Sequence, residues 1–147
     1  WTRLGGELVV GGGPNAERTA PGLDALLPAE VGQLQPGAST AALGALVPNS
    51  PDDPPALTVS ALTPREGATA LDGDGLVVAR AEGAGRVLLA AFDLAALRAW
   101  SGEAQLWAEL LEPSVPAHVG QSFRLRSENL LRDALQLQGL NLPSTAV

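Results

Sequence analysis

Leu8-Val9-Val10 stands between two glycine stops, Gly5-Gly6 before it and Gly11-Gly12-Gly13 after it. A short apolar run bounded on both sides in this way reads as a strand over Glu7–Val10, lying in parallel in the interior of a sheet. Upstream, Trp1-Thr2-Arg3-Leu4 reads as the last turn of a helix that glycine stops. Downstream, three glycines and Pro14 form a tight turn at the end of the strand, where an α/β protein often builds its site. That turn carries no Cys, Ser, Thr or His.

Composition narrows the class. The 147 residues suit one domain of ordinary size, and 46% hydrophobic against 17% charged argues for a globular chain over a disordered one. The net charge is −7, and all nine basic residues are arginine. An acidic chain with scattered Arg lacks the basic face that nucleic acid requires, so no nucleic-acid partner is expected. Absence of Cys removes thiolate nucleophiles, Cys-ligated zinc and iron–sulfur clusters. No Met is present, even at position 1, which marks a fragment or a processed chain. Neither a signal peptide nor an apolar run of bilayer length occurs.

Further along, strand-like and helix-like segments alternate. Pro21–Leu27 places Leu23, Leu26 and Leu27 at helical spacing, closed by Pro28. Residues 31–45 read as irregular, with a short helix near Ala41–Leu46. Pro48–Pro55 is too rich in proline for regular structure. Ala56–Ala61 alternates as a strand does. Gly75–Ala81 and Arg86–Phe92 form a hairpin through Glu82-Gly83-Ala84-Gly85, and the apolar Val87–Phe92 takes a central place. Leu106, Trp107, Leu110 and Leu111 form the apolar face of a helix over Glu103–Leu111, with Ser101 as its candidate N-cap. Trp100 and Trp107, seven apart, are assigned to one packed helical face. Pro113–Gln121 reads as a linker, and Ser127–Leu137, closed by Gly139, as a capped amphipathic helix.

The opening Trp1-Thr2-Arg3-Leu4-Gly5-Gly6-Glu7-Leu8-Val9-Val10-Gly11-Gly12 resembles a segment of glutamine-amidotransferase-like domains, in the versions carried outside the cytoplasm by uncharacterised bacterial membrane proteins. Gly85-Arg86-Val87-Leu88-Leu89-Ala90-Ala91-Phe92-Asp93-Leu94, with Trp100 and Leu106-Trp107 after it, is similar to a later strand and helix of the same domains. Leu137–Pro143 resembles the stretch that leads into their transmembrane helix. The likeness runs over most of residues 1–112. It implies a flavodoxin-like, class I glutamine-amidotransferase-like α/β fold, a three-layer α/β/α sandwich whose first strands would precede Trp1. Residues 1–112 would be the C-terminal portion of that domain, and residues 113–147 a linker and a pre-membrane helix. A sheet lacking strands exposes edges, so a homodimer is expected.

In amidotransferases the nucleophile sits on a sharp turn after a central strand, and the matching place here is Gly11-Gly12-Gly13. A nucleophile needs a thiol or hydroxyl and a base. Neither occurs in that turn, and the single imidazole, His118, lies in the distal linker. No catalytic residue, metal or cofactor is therefore expected. The turn remains a candidate anion cradle through bare backbone N–H groups, with Gly12, Gly13, Asn15, Arg18 and Asp93 as its residues. The competing reading is that the glycines only permit a tight turn and that Asp93 caps the turn next to it. Asp52-Asp53 and Asp72-Gly73-Asp74-Gly75 suggest calcium or acid/base work, but the second lacks the oxygen ligands of a calcium loop and fits a turn better. Two functions stay open. One is a non-catalytic interaction or scaffold domain of a larger membrane-anchored chain. The other is a module that binds or hydrolyses a cell-envelope sugar or phosphate compound.

Overall fold

In a computed structural model, residues 1–111 are described. Their strands are β1 (Glu7–Gly11), β2 (Ala29–Ala38), β3 (Leu57–Pro64), β4 (Ala68–Ala70), β5 (Val77–Glu82) and β6 (Gly85–Ala90). Three helices accompany them: α1 (Ala16–Thr19), α2 (Ala41–Leu46) and α3 (Glu103–Leu111). Single 3₁₀ turns occur at Thr2–Leu4, Gly13–Asn15 and Leu94–Leu97. The architecture is mixed α/β, with two sheets and few helices.

The first sheet runs in the order β1-β6-β5-β4; the second pairs β2 with β3. Apolar residues run without a break from Val87 to Ala90 of β6, and all four are buried. Such a run has no polar face to offer water, so both faces of the strand must be covered. On one face, Val77, Ala79, Leu88 and Ala90 meet Leu43, Phe92, Leu97 and Leu106, supplied by α2, the segment after β6 and α3. On the other, Val10, Val78 and Leu89 pack on Leu27 and Ala29. Each fully buried Leu or Phe contributes about 1.5–3 kcal/mol through its removal from water.

The β5–β6 hairpin closes as its sequence predicts. Glu82 pairs with Gly85, and only Gly83-Ala84 lie between them. Gly83 has φ 64°, the positive value that a two-residue hairpin turn needs at its first position. The central place of Val87–Phe92 also holds, although the strand itself ends at Ala90 and Phe92 forms a lone bridge to Val59.

Other local expectations are corrected. β1 runs parallel to β6 as expected, but within the sheet formed by the described residues it stands at the edge and not in the interior. Leu8 and Val9 are accordingly only half buried. The stretch read as irregular from residue 31 belongs to β2, an exposed ribbon held by β3. Its polar and Pro/Gly-rich sequence concealed it, and the ladder slips once between Val31 and Leu34 and again between Gln35 and Ala38. Pro21–Leu27 is not a helix but a succession of turns: Gly22 adopts φ 94°, which breaks helical continuity. The apolar residues still turn inward, with Leu27 buried in the second core cluster. The helical turn is instead the short α1 just upstream.

Trp100 and Trp107 do not share a helix. Trp100 closes the segment after β6 and is buried, while Trp107 is half buried on α3. Ser101 does not cap α3 from the expected position; its hydroxyl turns to the carboxylate of Asp52. The opening Thr2–Leu4 is a single 3₁₀ turn, stopped by Gly5 at φ 104°. Among the described residues no helix is long and apolar enough to cross a membrane. The linker, His118 and the Ser127–Leu137 helix lie outside the described residues.

Candidate functional site

The glycine turn leaves β1 and crosses directly over the end of β6. The Gly12 N–H donates to the carbonyls of Ala90 (2.8 Å) and Phe92 (3.1 Å). That approach leaves no room for a side chain, since a Cβ on Gly12 would lie 2.7 Å from the Ala90 oxygen. Gly13 comes next with φ 65°, a conformation that glycine adopts without strain. Its N–H donates to Ser60 Oγ at 3.0 Å, inside the protein.

Four of the five residues singled out in the sequence gather around one depression of about 380 Å³, namely Gly12, Asn15, Arg18 and Asp93; Gly11, Thr19 and Leu94 complete its lining. Gly13 opens on the other side of the turn, into a groove of about 630 Å³ that Pro14, Glu17, Leu34 and Ser60 also line. Asp93 reaches the turn from the far end of the sequence because β1 and β6 run side by side in parallel and end together. Asn15 Nδ2 donates to Asp93 Oδ2 at 2.6 Å. The other carboxylate oxygen of Asp93 accepts the Ala95 N–H at 2.9 Å, which caps the 3₁₀ turn after β6.

These bonds decide what the depression can do. The backbone donors on which an anion cradle would depend, Gly12 N–H and Gly13 N–H, are both spent on internal acceptors. An anion in the hollow would meet the Asp93 carboxylate as well as the exposed Arg18, which has no ion-pair partner among the described residues. The Thr19 hydroxyl is also committed, donating to Gly11 O at 3.1 Å. None of these groups is a nucleophile with a base beside it.

Ser60 is the residue that reading the turn alone misses. It comes from β3 and is buried, with its Oγ accepting from Gly13 N–H and lying 3.4 Å from Gly13 O. The only signal in the sequence is its place on an alternating strand, which says that its side chain lies on one face but not what it meets. Its two partners are backbone groups of the turn, so it fastens the second sheet to the first.

The acidic pairs resolve differently. Asp72 is buried and accepts three backbone N–H groups, from Asp74 (3.1 Å), Leu76 (3.1 Å) and Val77 (2.7 Å). It shapes the turn into β5, as its Gly-rich surroundings suggested. Asp52 is exposed, and its carboxyl lies below the ordinary value of 3.8 because the Ser101 hydroxyl bonds its charged form, with Ser50 assisting. The Asp52 backbone carbonyl accepts the Trp100 indole N–H at 2.9 Å. A depression of about 700 Å³ between α2 and this loop includes Thr40, Asp52 and Asp53 on its walls. Among the described residues no group of three or more His, Cys, Asp or Glu side chains is placed to hold a metal ion.

No family model matches the chain, and neither do any curated protein or any solved structure.

Proposed function

We propose that this chain is a non-catalytic interaction domain of a larger, membrane-anchored protein, displayed on the extracytoplasmic side of the membrane. One observation carries this reading. At the glycine turn, the place where an enzyme of the resembled kind keeps its nucleophile, the two central N–H groups and the nearby Ser60 hydroxyl are all satisfied internally. An oxyanion site needs such donors pointed at the reacting atom, and an acyl-transfer nucleophile needs a base. The two covered faces of the β1-β6-β5-β4 sheet are compatible with a flavodoxin-like α/β/α arrangement. In this reading the glycines serve close backbone packing, and the domain works through its surfaces.

A second reading rests on Arg18. This exposed guanidinium lines the same hollow as Asn15 and Asp93, a combination of donors and acceptors that suits a sugar or sugar phosphate. Thermal melting of the full chain against a panel of sugars, sugar phosphates, nucleotides and divalent metals separates the two. The interaction reading predicts no shift with any compound. A rise in melting temperature that Arg18→Ala abolishes would replace it with the ligand-binding one.

A further inference from the structure

Two Asp-Gly steps follow one another before β5, Asp72-Gly73 and Asp74-Gly75, and the sequence holds no others. Such a step has a chemistry of its own. The glycine amide nitrogen can attack the aspartyl side-chain carboxyl and close a five-membered imide, because glycine has no side chain to obstruct the approach. Whether the ring closes depends on what already holds the carboxyl and the amide. The two steps differ in both respects.

Asp72 is buried and both of its oxygens are occupied. Oδ2 accepts the N–H groups of Asp74 and Leu76, and Oδ1 accepts that of Val77. Turning its carboxyl onto the Gly73 nitrogen would break all three bonds and strand donors that have no other acceptor. Asp74 is exposed, and among the described residues its carboxylate accepts no hydrogen bond and joins no ion pair. The Gly75 N–H that would attack it donates to no acceptor either. Gly75 has φ 70°, and no described atom lies within 4 Å of the place a Cβ would take.

We infer that Asp74 is a site of spontaneous backbone isomerisation, and that the turn which Asp72 caps protects Asp72 from the same reaction. The Gly75 nitrogen bonds to Asp74 Cγ, and the carboxyl OH leaves as water with the amide proton. Water then opens the imide. Addition at Cγ breaks the new bond and restores aspartate. Addition at the main-chain carbonyl carbon of Asp74 breaks the original peptide bond, so the chain afterwards runs through Cγ as isoaspartate. Either route takes one oxygen from solvent and needs no oxidant or reductant. Isoaspartate lengthens the backbone by one methylene, about 1.5 Å. That extra length falls inside the loop that Asp72 closes on Leu76 and Val77, so the product loosens the entrance to β5, where Val77 is fully buried.

The test is incubation of the full chain in heavy-oxygen water at neutral pH, folded and in urea, followed by digestion in ordinary water. Cleavage after arginine puts both steps in one peptide, residues 66–80, whose fragmentation locates the label. In the folded chain, label and isoaspartate are expected at Asp74 several-fold above Asp72; in urea the two sites should react alike. The isoaspartyl form, separated by chromatography, should melt below the parent. Asp74→Glu, which would need a six-membered ring, should stop the reaction in a chain that circular dichroism shows to be folded. Equal labelling of both sites in the folded chain, or more at Asp72, overturns the inference. So does a folded chain with no label at Asp74, whether or not the unfolded chain reacts. A preference for Asp74 that persists in urea overturns the protective role of the turn, and an isoaspartyl form as stable as the parent overturns the consequence for β5.

Discussion

Asn15 and Asp93, 78 positions apart in sequence, meet at 2.6 Å through Nδ2 and Oδ2. A single carboxylate thereby joins the turn after β1 to the turn after β6, since its other oxygen holds the Ala95 N–H. Asp93→Ala removes both bonds and should cost about 1–2 kcal/mol, the range of a lost helix-type cap plus a surface hydrogen bond. Asp93→Asn should cost less, because an amide oxygen can still cap Ala95. Urea unfolding distinguishes the two, and equal losses would mean that the cap contributes nothing.

Ser60 carries a larger share of the join between the sheets. Its hydroxyl accepts the buried Gly13 N–H, and Ser60→Ala leaves that donor without a partner, at about 1–3 kcal/mol. A variant as stable as the parent in denaturant would show that water or a shift of the turn satisfies Gly13 instead.

Two glycines make a matched pair of tests. Gly12→Ala forces a methyl against the Ala90 carbonyl at 2.7 Å, with nothing but backbone to move. A loss of about 1–3 kcal/mol is expected, as for other overpacked sites. Gly73 has open space around its Cβ position and no positive φ, so Gly73→Ala should stay within about 0.5 kcal/mol of the parent. Comparable melting temperatures for both variants would refute the packing account of the glycine turn.

Arg86 faces Glu7 across the parallel β1–β6 pair, donating to its carboxylate at 2.7 Å and to the Leu110 carbonyl at 2.6 Å. Both side chains of the pair are mostly buried, with exposures of 21% and 23%. Arg86→Met keeps the aliphatic stem but removes the bonds to Glu7 and to the Leu110 carbonyl, and should cost about 1–3 kcal/mol. Because the Leu110 carbonyl lies in the last described turn of α3, hydrogen exchange there should also quicken.

The Asp52 carboxyl titrates below 3.8, chiefly through the Ser101 hydroxyl. A depressed folded value means that the carboxylate is favoured by folding. Its stabilising contribution is therefore present above pH 3.8 and fades as pH falls through the lower folded value. Ser101→Ala should raise the Asp52 midpoint toward 3.8 in a carboxyl NMR titration. An unchanged midpoint would assign the shift to another group.

Much of the fold could be read locally. The unbroken apolar run of β6, the glycine at the head of its hairpin, the short α2 and the amphipathic α3 all derive from side-chain period and turn chemistry, which neighbours in sequence decide. Two segments resisted for opposite reasons. β1 looks like an interior strand because its residues are apolar, yet apolarity says only that a strand is suited to burial, not how many strands flank it. β2 looks like a loop because Gln33, Gln35, Pro36 and Gly37 suit one, and only the ladder offered by β3 makes it a strand. The site divides along the same line. That glycines would turn the chain tightly after β1 was legible at Gly11-Gly12-Gly13.

Sequence by itself determined the alternation of apolar and polar positions, the turns that glycine and Asp72 impose, and the lack of a thiol or an adjacent base at the turn. Tertiary structure alone decided that Asp93 would meet Asn15, that Ser60 would occupy the Gly13 N–H, and that β1 would stand at the edge of the sheet formed by the described residues. The physical reason is range. Backbone conformation is set by steric and hydrogen-bonding preferences over a few residues, while strand order and the partners of buried donors depend on which distant segments the core brings together.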